Sequence, residues 1–213
     1  ARDYPHSVNI NVWADPAEYA AHATSSPEWA GGGFSLQVRN GVLHRRIDLT
    51  QNDEEGNFST LMLDRVLPHE LCHLVLQEHF GDAPCPLVLS EGLAMLAESE
   101  ADESRVLLAG AVLAAEKSPD LQGMLSRHRY DLRDPAVFYA KAFSFLEFLH
   151  ERLTREQFTD FLSHVKDGCA VGEALERSLY VPADGRFLDS LTGAWRDRAV
   201  TQAQYLRALR SSS

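Results

Sequence analysis

The chain is poor in cysteine and has no paired cysteine motif: Cys72, Cys85 and Cys169 are an odd set with no C-x-x-C among them. That excludes a thiolate zinc site and a full disulfide framework, and Cys72 is expected to be a small buried filler rather than a nucleophile. Long apolar runs are missing too. The longest, VLLAGAVLAA at 106–115, spans ten residues between Arg105 and Glu116, about half of what a bilayer span requires, so it reads as a buried helix and no membrane span is expected. Cations are scarce beside anions. Twenty Lys and Arg against 31 Asp and Glu leave a formal net charge of −11, which argues against a nucleic-acid backbone or an anionic membrane as the main partner. There is no internal repeat and no low-complexity linker, only a polar SSS tail, so the 213 residues read as one domain able to bury roughly 70% of its unfolded surface. Because the chain starts at Ala1 rather than Met, an export signal, a larger precursor or a trimmed terminus is compatible with it, as is the cytoplasm. The sequence leaves the oligomeric state open.

What is present falls into a β-rich part over 1–56, a motif region over 57–100 and a helical part over 101–213. SVNINVW alternates as a strand does, and DPAEYAAHA follows with a helix start at Asp15 and Pro16. FSLQVRNGVLHRRIDL reads as two strands joined at NG, the strongest short hairpin signal. The polar run TQNDEEGN ends this part, and from Ser59 the periodicity is helical. Pro68 conflicts with a continuous helix, because it cannot donate a hydrogen bond to Asp64 and it disfavours helix at Leu67, so a kink or a new start is expected there. Pro86 is expected in the first turn of the next helix. Asp102 is a candidate cap for ESRVLLAGAVLAAEK, AVFYAKAFSFLEFLHERL carries an apolar face, and Thr154 with Gln157 forms a capping box. FLDSLTGAWRDRAVTQAQYLRAL gives one more long helix. The fold class is α+β, a small N-terminal β-sheet followed by mostly helices.

The chemistry concentrates in LPHELCHLVLQEHF, residues 67–80. His69, Glu70 and His73 form H-E-x-x-H, in which two imidazoles four residues apart project from one helix face and can share a cation. Leu67, Leu71, Leu74, Val75 and Leu76 can pack that helix into a core, and burial would leave both imidazoles in need of partners. A catalytic zinc takes three protein ligands and keeps one position open. Two residues compete for the third place. His79 suits the extended pattern H-E-x-x-H-x-x-G-x-x-H, in which a glycine turns the chain back; here Leu76 stands at that position, and without the turn His79 lies about 9 Å further along the helix axis than His73. Glu91, in LSEGLAML eighteen residues after His73, lies early on a following helix that can pack against the first, and its carboxylate lowers the charge of the site. His79 then reads as a polar residue near a helix C-terminus, where partial negative charge favours it.

Taken together, LPHELCHLVLQ, PLVLSEGLAMLAE and VFYAKAFSFLEFL resemble the peptidase MA-like family of gluzincins, relatives of thermolysin and the zinc aminopeptidases, over roughly residues 57–200. The resemblance implies a zincin-like fold, a Zn2+ ion held by His69, His73 and Glu91, and water activation by Glu70 as general base, with a peptide or protein as substrate. It also implies roles for two further residues. Glu98, seven residues after Glu91 and two turns along the same face, aligns with a carboxylate that steadies a zinc-bound histidine in the aminopeptidase branch; it reads equally as a solvated helix glutamate. Tyr139 in YAKA matches the tyrosine of the Y-x-K-G stretch, whose hydroxyl stabilises an oxyanion, and competes with a core role on an amphipathic helix, Tyr130 being the fallback donor. The RHRYDLR cluster reads as a solvated loop that offers, as its alternative, a grip on a substrate carboxylate.

One departure bears on substrate. The aminopeptidases carry G-x-M-E-N before the zinc helix, where the glutamate holds a free amine, and the comparable segment here is GGGFSLQ, without glutamate. A strand such as Phe34 to Val38 can instead pair with an extended peptide, which suits cleavage of internal bonds. Two rival readings stand beside this one: a zincin-fold binding or scaffold module without turnover, which the intact Glu70 opposes, and a metzincin-like site using His79.

Overall fold

The computed structural model describes residues 6–22, 31–52, 56–99, 102–116, 119–130, 132–181 and 186–212. Parts of several sequence features lie outside the described residues: Ala23 of DPAEYAAHA, 53–55 of the polar run ending at Asn57, Lys117 of ESRVLLAGAVLAAEK, 131 of the RHRYDLR cluster and Ser213 of the tail. The chain divides into two compact units, Ala1–Glu78 with Ala97–Glu100, and His79–Leu96 with Ala101–Ser213. Among the described residues there are three strands in a single sheet and nine α-helices, an α+β architecture, and no helix is long and apolar enough to cross a membrane.

In the first unit β1 (Val8–Trp13), α1 (Pro16–His22), β2 (Gly32–Arg39) and β3 (Val42–Thr50) build a sheet of order β1-β3-β2. β1 runs parallel to β3 and β2 antiparallel, in register from Gly32 opposite Leu49 to Arg39 opposite Val42. The hairpin turns on Asn40 and Gly41, both at positive φ (53° and 77°), the conformation that a two-residue turn needs to match the twist of its strands and that Asn-Gly adopts at low cost. Ile47 and Leu49 on the central strand are fully buried. β2 is an edge strand.

The chain then enters a π-helical turn, Met62–Val66, that runs directly into α2, Leu67–Phe80. Of the two outcomes expected at Pro68, a new start is found: α2 begins at Leu67 and carries Pro68 in its first turn, and what departs from expectation is Leu67, whose helical conformation the proline was expected to disfavour. Leu67 is helical (φ −61°, ψ −47°), and its N–H bonds the Met62 carbonyl five residues back. The wider turn shifts the hydrogen-bond register just before the proline, so the ring does not meet an α-helical ladder that demands its missing donor. The Asp64 carbonyl, which Pro68 cannot serve, accepts from both the backbone N–H (2.9 Å) and the hydroxyl (2.6 Å) of Ser99. That clamp fixes Ser99 beside the start of α2 within the first unit.

The second unit is helical: α3 (Leu87–Ala97, up to Leu96 in this unit), α4 (Glu103–Ala115), α5 (Leu121–Leu125), α6 (Pro135–Arg152), α7 (Arg155–Lys166), α8 (Val171–Ser178) and α9 (Phe187–Ser211). Asp102, Asp120 and Asp134 accept N-terminal amides of α4, α5 and α6, and Thr154 with Gln157 closes a reciprocal capping box on α7. α3 begins one residue later than the sequence suggests: Pro86 precedes it, its carbonyl accepting from Leu89 and Ser90. The core gathers Phe143, Phe145 and Phe148 of α6 with Phe161 and Trp195. The Trp195 indole N–H donates to Ser144 Oγ at 3.2 Å and its ring meets Phe145 edge-on, so the buried polar atom is satisfied. In α4 only one stripe, Val106, Ala109, Gly110 and Leu113, is buried. Gly92 sets the seat of α3. A Cβ there would stand 2.8–2.9 Å from Leu146 and the Ala142 carbonyl, so only glycine lets α3 lie this close to α6.

Candidate metal centre

Within the first unit, α2 presents His69 and His73 one turn apart, their rings 4.9 Å between centroids and nearly perpendicular. Both imidazoles are partly exposed, whereas Glu70, the residue between them in the motif, is buried at 7% exposure. Glu98 completes this half. Its side chain is 4% exposed, with Oε1 3.1 Å from His69 Nδ1 and Oε2 3.3 Å from Arg65 Nε. A carboxylate at Nδ1 favours the tautomer with hydrogen on Nδ1, which leaves a lone pair on Nε2. The π turn has a direct consequence here: it brings Arg65 and His69 to the two oxygens of one glutamate, and the Ser99 clamp holds that glutamate's backbone in place.

Within the second unit, Glu91 lies on the first half of α3 at 5% exposure, next to the glycine that seats α3 on α6. The Tyr130 hydroxyl donates to Glu91 Oε1 at 2.5 Å, although the tyrosine as a whole is 62% exposed. Tyr139, on the first turns of α6, is partly buried. Its hydroxyl is pushed up to about 12 from the usual 10, first by burial and then by the negative charge of Glu91, since both disfavour a phenolate. Tyr139 therefore remains a hydrogen-bond donor throughout the physiological range. His79 sits at the end of α2, its ring edge-on to Phe80, and its Nε2 is a buried atom without a hydrogen-bond partner among the described residues. Arg129 and Arg133 of the RHRYDLR cluster are exposed, in keeping with a solvated loop. Cys72, Cys85 and Cys169 are in no disulfide and of intermediate exposure, so Cys72 is less buried than expected: it lies on a flank of α2 beside the partly exposed His73.

Two contacts had no advance notice in the sequence. Arg65 precedes His69 by four residues, a helical spacing that is a usable signal, but its pairing with Glu98 spans 33 residues. Tyr130 lies outside any helix and 39 residues from Glu91, so no periodicity points to it. No protein-family model, curated protein or solved structure matches the chain.

Proposed function

We propose that the chain is a zinc-dependent hydrolase of gluzincin type, a metallopeptidase that cleaves internal peptide bonds, with His69, His73 and Glu91 as metal ligands and Glu70 as general base. The observation that carries this reading is a convergence of donors: one ligand atom from each of His69, His73 and Glu91, all within 4.8 Å of one another. His79 is not in that group. Two neutral imidazoles and one carboxylate are a catalytic zinc set. The residue types fit the ion. When bound, zinc supplies Lewis acidity, polarising a scissile carbonyl and lowering the pKa of water toward about 7.

The remaining chemistry belongs to the chain. Glu70 is buried beside the ligand pair and not one of the ligands, so its carboxylate accepts a proton from the attacking water and returns it to the leaving amine. Glu98 orients His69 through Nδ1. Tyr139, held protonated, donates to the oxyanion as the carbonyl becomes tetrahedral. Cleavage of internal bonds is supported by the absence of a glutamate in GGGFSLQ to hold a free amine, and by β2, whose outer edge offers main-chain groups to an extended peptide.

The deciding experiment compares wild type and Glu70→Gln on peptide libraries at equal zinc occupancy. The amide keeps size and hydrogen bonding but cannot take a proton at neutral pH, so zinc stays and turnover vanishes. Equal rates remove Glu70 as the base; a wild type that binds zinc and cleaves nothing leaves a binding module.

A further inference from the structure

The metal reading accounts for Glu91 but not for the tyrosine attached to it. Tyr130 is largely exposed, yet its hydroxyl is sunk onto a buried carboxylate at 2.5 Å. Exposed tyrosines ordinarily leave their hydroxyls in water, as expected of Tyr180 at 84% exposure. The backbone around Tyr130 is also tied to α3. The Leu87 N–H, at the first residue of α3, donates to the Arg127 carbonyl at 2.9 Å, and the Leu132 N–H donates to the Tyr130 carbonyl at 2.7 Å. Leu87 and Glu91 are four residues apart, hence one above the other on a single helix face about 6 Å apart along the axis. The segment thus grips α3 twice on the same face, by backbone at Leu87 and by phenol at Glu91. All of these groups belong to the second unit.

A carboxylate ligand has two oxygens and rotates about its last bond, so a free glutamate samples many directions before it meets a metal. A hydrogen bond to one oxygen fixes that rotation and sets the direction in which the other points. We propose that Tyr130 is a positioning residue for the metal: by holding Oε1 of Glu91 it orients the carboxylate as a one-oxygen ligand and so sets how tightly the ion is kept. This rests on the proposed metal site and adds to it a group that touches neither metal nor substrate. It also separates the two tyrosines near Glu91, with Tyr130 serving the ligand and Tyr139 serving the reaction.

The test is zinc affinity and release measured by chelator competition on the full chain, for wild type, Tyr130→Phe and the control Tyr180→Phe, with melting curves of the metal-free proteins. Tyr130→Phe should bind zinc about 10- to 100-fold more weakly, the range found when partners of metal ligands are removed, and release it faster. Its metal-free melting temperature and its kcat at saturating zinc should stay unchanged, and Tyr180→Phe should match wild type throughout. Equal or tighter zinc binding by Tyr130→Phe overturns the proposal while leaving the metal site standing. A fall in kcat at full zinc occupancy overturns it in favour of Tyr130 as the oxyanion donor, and weaker binding accompanied by loss of the metal-free fold overturns it in favour of a structural phenol. Failure of wild type to take up zinc removes the metal site and this proposal together.

Discussion

Asp48 and Glu98 are two acids of the first unit buried almost equally, with side chains 3% and 4% exposed, yet they are surrounded differently. Asp48, on β3, accepts from Asn11 Nδ2 (3.1 Å), Trp13 Nε1 (2.8 Å) and Arg46 Nη2 (2.7 Å). All three donate without gaining or losing a proton near neutral pH, and the two on β1, Asn11 and Trp13, tie that strand to β3. Glu98 faces Arg65 and the imidazole of His69. An imidazole engaged at Nδ1 keeps a second nitrogen able to act. Burial of a carboxylate is therefore no sign of function by itself; what distinguishes the two is whether the partner has a second atom with chemistry left in it.

The comparison can be broken at several points. The largest effects belong to the ligands. His69→Ala, His73→Ala and Glu91→Ala should each lose stoichiometric zinc by elemental analysis of folded protein, whereas His79→Ala should retain it; the reverse pattern would establish His79 as the third ligand. Next comes Tyr139→Phe, expected to lower kcat about 10- to 1000-fold with KM and melting temperature little changed. A drop in stability of about 1 kcal/mol with normal turnover would instead mark a structural hydroxyl.

Glu98→Gln and Asp48→Asn test the two acids against each other. Glu98→Gln should weaken zinc binding about 10- to 100-fold, while Asp48→Asn should leave zinc affinity intact and cost about 2 kcal/mol of stability, because Arg46 loses its counter-charge inside the sheet. For a chain of this length that is a fall of about 4–8 °C in Tm. If Asp48→Asn costs affinity as much as Glu98→Gln does, the distinction between them fails. The smallest effect is a titration. With its pKa pushed up to about 12, Tyr139 in the metal-free chain should stay protonated past pH 10, where an ordinary phenol ionises. The folded state then holds a proton that the unfolded state has released, so this contribution to stability is present below pH 10 and lost as pH rises toward 12. Phenolate absorbance of wild type against Tyr139→Phe should differ only at the top of that range.

Much of the scaffold was legible because its causes are local. Asn40-Gly41 makes its turn and Thr154 and Gln157 close their box, each within a few residues of the cause; α6 goes beyond the one apolar face expected of it, since Ala142 to Leu146 are buried in an unbroken run around the helix. The same locality puts His69 and His73 on one face of α2, since four residues make about one turn. The approach to Pro68 was not legible for the opposite reason: the helix start expected there is found at Leu67, but the π turn leading into it leans on a donor from Ser99, 35 residues from Asp64.

The sequence alone thus determined the element types, most of the caps, the α+β class and the histidine pair, because backbone propensity and helical spacing act over one or two turns. Glu98 was named for a histidine by resemblance, and only tertiary structure decided that it meets His69 rather than solvent, which phenol meets Glu91, and which donor serves Asp64 beside Pro68. Those contacts join residues 29, 39 and 35 positions apart, and a chain bears no mark of such pairings until packing selects one among the many partners that hydrogen-bond chemistry would accept.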